Sequence, residues 1–297
     1  MIHCAENDQV KQMKKILYAI TGIVLLMGCA KQVSTVDELF ATVSKGNYNR
    51  EDSVLIKAGW TKIFEDSFDS DLSKWDIWTG GACNNELQFY QSGNLQLSKG
   101  VLVIQAKKET VTGRTLPANP ALSSYEFSSG RIESKCKISA NSETPKVRIL
   151  ARIQMPSGYG MWPAFWSYGH PWPTQGEIDF FEARGNEPDK YFTSYYFGTT
   201  TQLFKDDVSA TISTGVDLSK AYHVYEVEWT ETAITSYIDG IKVETKTAGT
   251  HLKDLFGKTQ NIVLNLAVGG DFFVGLDKAK IEPGTMYVDW VKVFTSK

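Results

Sequence analysis

The chain has 297 residues, 42% of them hydrophobic and 22% charged, an ordinary globular balance that excludes disordered and fibrous classes and allows one large core. A formal net charge of −3 supplies no electrostatic footprint for nucleic acid, so a neutral or near-neutral partner fits better. The 8 Trp and 13 Tyr offer flat apolar faces with polar edges, which suit an all-β core and sugar rings alike.

In chain order, MKKILYAITGIVLLMGCA comes first: two lysines after Met13, an apolar run over 16–27, and small residues before Cys29. About a dozen apolar residues are too few to span a bilayer comfortably and suit a secretory signal, with the true start at Met13. LMGC is similar to a bacterial lipobox, in which the signal is cut before the cysteine and its thiol is acylated. Residues 1–29 are therefore expected to be a lipoprotein signal segment with Cys29 lipidated. The protein would be exported, touching the outer membrane or cell surface only through that lipid. A plain signal peptide with an incidental cysteine is the alternative. Residues 30–58 are polar and read as a tether, with a helix-compatible run at 36–43. Cys83 and Cys136 follow without CxxC spacing or a histidine cluster, which argues against metal ligation by thiolate. A disulfide between them and two small buried thiols both remain open.

From residue 59 to 297 the pattern is many short apolar runs punctuated by Gly, Asn, Asp and Pro, such as GVLVIQAKK, VRILARIQM, NIVLNLAV and MYVDWVKVF. SYIDGIKV reads as two strands joined by an Asp-Gly hairpin turn. Ten or more strands without an internal repeat or a linker predict one all-β domain, a jelly-roll sandwich, expected to be a monomer.

Within that block TQGEIDFFEARG puts Glu177, Asp179 and Glu182 along one apparent core strand. Alternation sets Glu177 and Asp179 on one face and Ile178 and Phe180 on the other, which would send Glu182 into the core. A β-bulge near Phe180 and Phe181 would restore Glu182 to the acidic face. Two glutamates so placed, roughly 13 Å apart at Cα and leaning inward, could flank a glycosidic bond as nucleophile and proton donor, with the shorter Asp holding the nucleophile. Crowded carboxylates do not all ionise freely, so one stays protonated and can serve as acid. Ordinary surface acids or a calcium site are the competing readings. The aromatic stretch GMWPAFWSYGHPWP just upstream favours a sugar-stacking wall.

GEIDFFE resembles the bulged E-x-D-x-x-E signature of glycoside hydrolase family 16, laminarinase-like branch. NNELQFY, SSGRIES, VRILARIQMPSGYGMWPAFW, NLAVGG and VDWVKVF are similar in the same order, so the resemblance covers about 60–296. It implies a curved, concanavalin A-like jelly roll with a substrate cleft on the concave face and retaining endo-hydrolysis of β-1,3- or mixed β-1,3/1,4-glucan. By the resemblance, Glu177 is the nucleophile, Asp179 its assistant and Glu182 the acid/base. Asn85, Glu86 and Arg131 fall where the family hydrogen-bonds sugar hydroxyls. Trp166 and Trp172 belong to the stacking wall, with Trp162 either wall or core. No cofactor is implied for catalysis, but Glu65, Gly100 and Asp289 occupy positions similar to a structural calcium site of many relatives, where Asp289 as a merely paired strand acid is the alternative. Phe192 and Tyr196 stand where laminarinase-like relatives usually show histidines, and Phe272 where they carry a tryptophan. These positions bear on linkage, so an algal galactan substrate, or a surface lectin that has lost catalysis, are the competing functions.

Overall fold

Strands here are made by alternation: in ITSYI, Ile234, Ser236 and Ile238 are buried while Thr235 and Tyr237 are partly open. The computed structural model describes residues 48–81, 83–116, 119–201, 206–247 and 251–297. The signal segment, Cys29 and the run at 36–43 lie outside the described residues. One short helix, α1 (Asp52–Lys57), precedes the strands. These are β1 (Thr61–Asp66), β2 (Trp75–Ile77), β3 (Gln88–Tyr90), β4 (Leu95–Leu97), β5 (Leu102–Arg114) and β6 (Leu122–Ser129). Next come β7 (Arg131–Ile138), β8 (Lys146–Gln154), β9 (Met161–Tyr168), β10 (Glu177–Glu182), β11 (Lys190–Phe197) and β12 (Asp206–Ser213). The last are β13 (His223–Trp229), β14 (Ile234–Ile238), β15 (Ile241–Lys246), β16 (Gln260–Val268) and β17 (Gly284–Ser296).

They form two sheets. One runs β15-β14-β13-β8-β17-β5-β6-β3, with β1 on β17 and β4 on β5; the other runs β12-β11-β10-β9-β16-β7-β2. This is the expected jelly-roll sandwich. The Asp-Gly turn is as read from sequence, with φ of 50° at Asp239 and 79° at Gly240 matching a type I′ hairpin. Between the sheets lies one core, in which Val147, Ile149, Ala151 and Ile153 of β8 face Phe165, Ile178, Phe180 and Phe181 of the opposite sheet's β9 and β10. Burying each of the phenylalanines contributes about 1.5–3 kcal/mol.

The tether ends earlier than expected. Residues 48–58 pack on the outer face of the larger sheet, because Leu55 of α1 enters a second cluster with Trp60, Leu150, Val224, Trp290 and Phe294. Arg50 pairs with the buried Glu226 at 2.8 Å, and Asp52 with Lys292 at 2.7 Å. The strap therefore occupies the outer face of the larger sheet, not of the seven-stranded sheet that contains β10. Cys136 is a free thiol, so the bridge to Cys83 is not formed.

Candidate active site

The bulge in β10 builds the site. Five steps from Glu177 to Glu182 face only four steps on each neighbour, Tyr168 to Ala164 on β9 and Tyr196 to Phe192 on β11. The surplus residue lets both Phe180 and Phe181 turn inward, Phe180 edge-on to Phe165 at 4.8 Å and Phe181 against Tyr225 at 4.2 Å. Glu182 is thereby returned to the face of Glu177 and Asp179, as the sequence predicts. All three carboxylates line one cleft on the open face of the seven-stranded sheet.

Each glutamate is held by its own indole. Trp172 Nε1 donates to Glu177 Oε2 at 2.7 Å, and Trp162 Nε1 donates to Glu182 Oε1 at 2.9 Å. Trp162 is thus wall and not core. Asp179, nearly fully buried, sits between the two glutamates.

Further along the cleft, Arg131 of β7 stands over Trp78 and Trp166 at 5.1 Å and Tyr168 at 5.7 Å, and its Nη2 bonds Glu133 at 2.7 Å. Burial works against its charge, but Glu133 and the surrounding tyrosines hold its pKa above the ordinary value. A chain of hydrogen bonds then crosses the floor: Trp166 Nε1 to Asn265 Oδ1 at 2.7 Å, Asn265 Nδ2 to Tyr90 Oη at 3.1 Å, and Tyr90 Oη to Glu86 Oε2 at 3.4 Å. Glu86 also accepts from Gln88 Nε2 at 2.6 Å. Part of its surface opens to the cleft, yet dense protein packing desolvates it and pushes its pKa up to about 7, against the lowering effect of Gln88 and Arg131.

Glu86, Arg131, Trp162, Trp166 and Trp172 line the cleft as expected. Asn85 is a correction: positive φ at Asn84 and Asn85 turns the pair so that Asn84 lines the cleft while Asn85 bonds Asp271 Oδ1 at 2.7 Å on the rim. Tyr196 pairs with Glu177 across β11 but lies outside the lining. Trp78, Tyr90, Tyr168 and Asn265 line the cleft without having been singled out from the sequence. Tyr168 was findable, since it shares the period-2 face of Trp162 and Trp166; Trp78, just beyond β2, carried no such signal.

The calcium trio does not fit the ion. The Glu65 carbonyl accepts from Lys74 Nζ at 2.7 Å, its carboxylate faces Lys62 and Lys292, and Asp289 pairs with Arg152 at 2.5 Å. The chain's own cations thus meet Glu65 and Asp289, and Gly100 belongs to the Ser98–Val101 turn. Dialysis against EDTA is accordingly expected to leave the melting temperature unchanged; a drop restored by calcium alone would reverse this assignment.

Comparison with known proteins agrees with this geometry. The model for "Glycosyl hydrolases family 16" matches residues 84–292. A glucan endo-1,3-beta-glucosidase A1 from Niallia circulans is 33% identical over 270 residues, covering 80% of this chain and 38% of that protein. A glucan endo-1,3-beta-glucosidase from Cryptopygus antarcticus is 30% identical, covering 80% of this chain and 92% of its own length. Of two longer curated relatives the chain spans only about a third, 34% and 38%. Among solved structures, an endo-beta-1,3-glucanase from Pyrococcus furiosus superposes with a TM-score of 0.66 at 29% identity, over 80% of this chain and 94% of that one. With the family model spanning most of the folded domain and the bulged acidic strand at its centre, the chain belongs to glycosyl hydrolase family 16.

Proposed function

We propose that the protein is a retaining endo-β-glucanase that hydrolyses β-1,3-glucan or mixed-linkage β-1,3/1,4-glucan by double displacement. The observation that carries the reading is the pair of glutamates brought to one face of β10 by the bulge, each steadied by an indole N–H in a cleft lined with aromatic faces. In the first step the Glu177 carboxylate attacks the anomeric carbon while Glu182 gives its proton to the departing oxygen, leaving a glycosyl ester on Glu177. In the second, Glu182 takes a proton from water, which attacks the same carbon and releases Glu177; two inversions retain configuration. Asp179 holds Glu177 in place. The cleft reaches from Trp78 and Arg131 to Trp172, a length of sheet that suits a polymer gripped along its middle. The names of the Niallia, Cryptopygus and Pyrococcus proteins support β-1,3-glucan as the substrate.

Digesting laminarin, lichenan, barley glucan and agarose side by side tests this: reducing ends are expected from laminarin. Release from agarose alone would replace glucan with galactan, and glucan binding without release would make the protein a lectin.

We further propose, from the sequence around Cys29, that the protein is exported as a lipoprotein. Labelled palmitate should enter the wild-type protein and not Cys29→Ser; equal labelling, or none in either, would remove the anchor.

A further inference from the structure

We propose that Arg184 is a positioning residue that clamps the loop at 269–275 against Trp162 and so fixes the indole N–H held by Glu182. This rests on the assignment of Glu182 as acid/base. The contacts form a closed ring. Glu182 accepts from Trp162, and the Phe272 ring stacks on Trp162 with centroids 4.6 Å apart and planes 19° from parallel. The Arg184 guanidinium lies 4.5 Å from the Phe272 ring centre, and Arg184 Nε donates to the Phe272 carbonyl at 2.9 Å. Arg184 is two residues beyond Glu182, so the chain of contacts returns to the segment where it began.

The other contacts point the same way. Arg184 also lies 4.9 Å from the Phe192 ring centre, and Phe192 meets Phe272 edge-on at 5.2 Å. Phe192 pairs with Glu182 across β11, so three aromatic rings and one planar cation surround the side of the strand where the acid/base emerges. A guanidinium can stack on rings and donate sideways at once, which an ammonium cannot. The loop is secured independently at its start. Gly270 has φ +89°, and a Cβ there would lie 3.0 Å from Glu86 Cγ and 3.2 Å from Trp162 Cζ3, so the backbone passes tightly between them. Asp271 N then bonds Asn84 O at 2.8 Å. Beyond Phe272 the tip runs out to Val274, which is 98% exposed. Arg184 is therefore the clasp on the far side of Phe272. Its ion pair with Glu187, at 3.4 Å on the surface, adds little to that.

An indole N–H donated to the ionised carboxylate favours the charged form, so a loosened Trp162 lets Glu182 keep its proton to higher pH. Arg184→Met is expected to lower kcat on laminarin roughly tenfold, with a smaller change in KM, and to move the basic limb of the kcat–pH profile upward. Arg184→Lys should not rescue it. Phe272→Leu should reproduce both effects, and the double variant should add nearly nothing, as members of one contact chain do. The Trp162 indole proton resonance, assigned through Trp162→Phe, should shift in Arg184→Met whether or not the protein turns over glucan. An unmoved resonance and pH limb, full rescue by Lys, or additive losses would each overturn the clamp. A wild-type protein that releases no sugar, with the resonance shifted as expected, would leave the clamp standing and instead remove the acid/base role of Glu182.

Discussion

Glu177→Gln is expected to lower kcat on laminarin by roughly 10³-fold or more while leaving glucan binding nearly unchanged. The amide has the shape of the acid and can still accept from Trp172 Nε1, so the indole and the bulged strand keep their positions; only the nucleophilic charge is lost. Glu182→Gln should behave differently. It should cost roughly 10²- to 10⁴-fold on laminarin, whose leaving hydroxyl needs a proton, and far less on an aryl glycoside whose leaving group departs as a stable anion. Added azide should restore the second step in Glu182→Ala, because azide attacks the glycosyl ester without needing a base. The product keeps the substrate's anomeric configuration. In Glu177→Ala azide would take the place of the nucleophile itself and give the inverted product. Near-wild-type turnover of Glu177→Gln on laminarin would remove the double-displacement reading.

The bulge was legible because the chain contradicts itself without it: two consecutive phenylalanines and a third acid cannot all obey strict alternation on a half-buried strand. Core strands such as VRILARIQM were legible for the opposite reason, that local pattern and final burial agree. The strap at 48–58 was not, because a six-residue helix with one buried leucine has too few turns to show a period. The pairings at the positions named for calcium were hidden for another reason. Glu65 and Asp289 are acids at matching positions, but only the fold reveals that Lys292 and Arg152 come from distant parts of the chain to meet them, joining Lys62 and Lys74, which are near Glu65 in sequence. The same holds for the cleft. Trp166, Asn265, Tyr90 and Glu86 belong to β9, β16, β3 and the loop before it, and no spacing within one segment links them. Asn85 shows the limit of carrying roles by position, since one step of backbone rotation decides which of two adjacent asparagines meets the cleft.

Glu86→Gln is expected to flatten the fall in thermal stability that the wild type shows between about pH 5 and pH 7.5. Folding raises the Glu86 pKa from the ordinary carboxylate value, 4.5, to about 7 through desolvation, with Gln88, Arg131, Asn84 and Tyr90 as the groups facing it. Between those two values the folded protein holds a proton that the unfolded chain has released, so stability falls as pH rises through the window and stays lower above it. The full shift corresponds to about 3 kcal/mol, and water in the cleft reduces this to between about 1 and 3 kcal/mol. Gln carries no such proton. The variant should therefore match the wild type near pH 5 and melt several degrees higher at pH 8, at roughly 2–4 °C per kcal/mol for a domain of this size. Glu226, whose pKa is also raised by burial, adds a slope of the same sign, but it is common to both proteins and cancels in the difference. An acid that weakens the fold at neutral pH, set in a cleft beside Arg131, Trp166 and Asn84, is accounted for if it accepts hydrogen bonds from sugar hydroxyls. KM for laminarin in Glu86→Gln should then rise most above pH 7, where the wild-type carboxylate is charged, and least near pH 5. A stability difference that does not vary with pH would mean that Glu86 carries the same charge folded and unfolded, and the link between its burial and its binding role would fail with it.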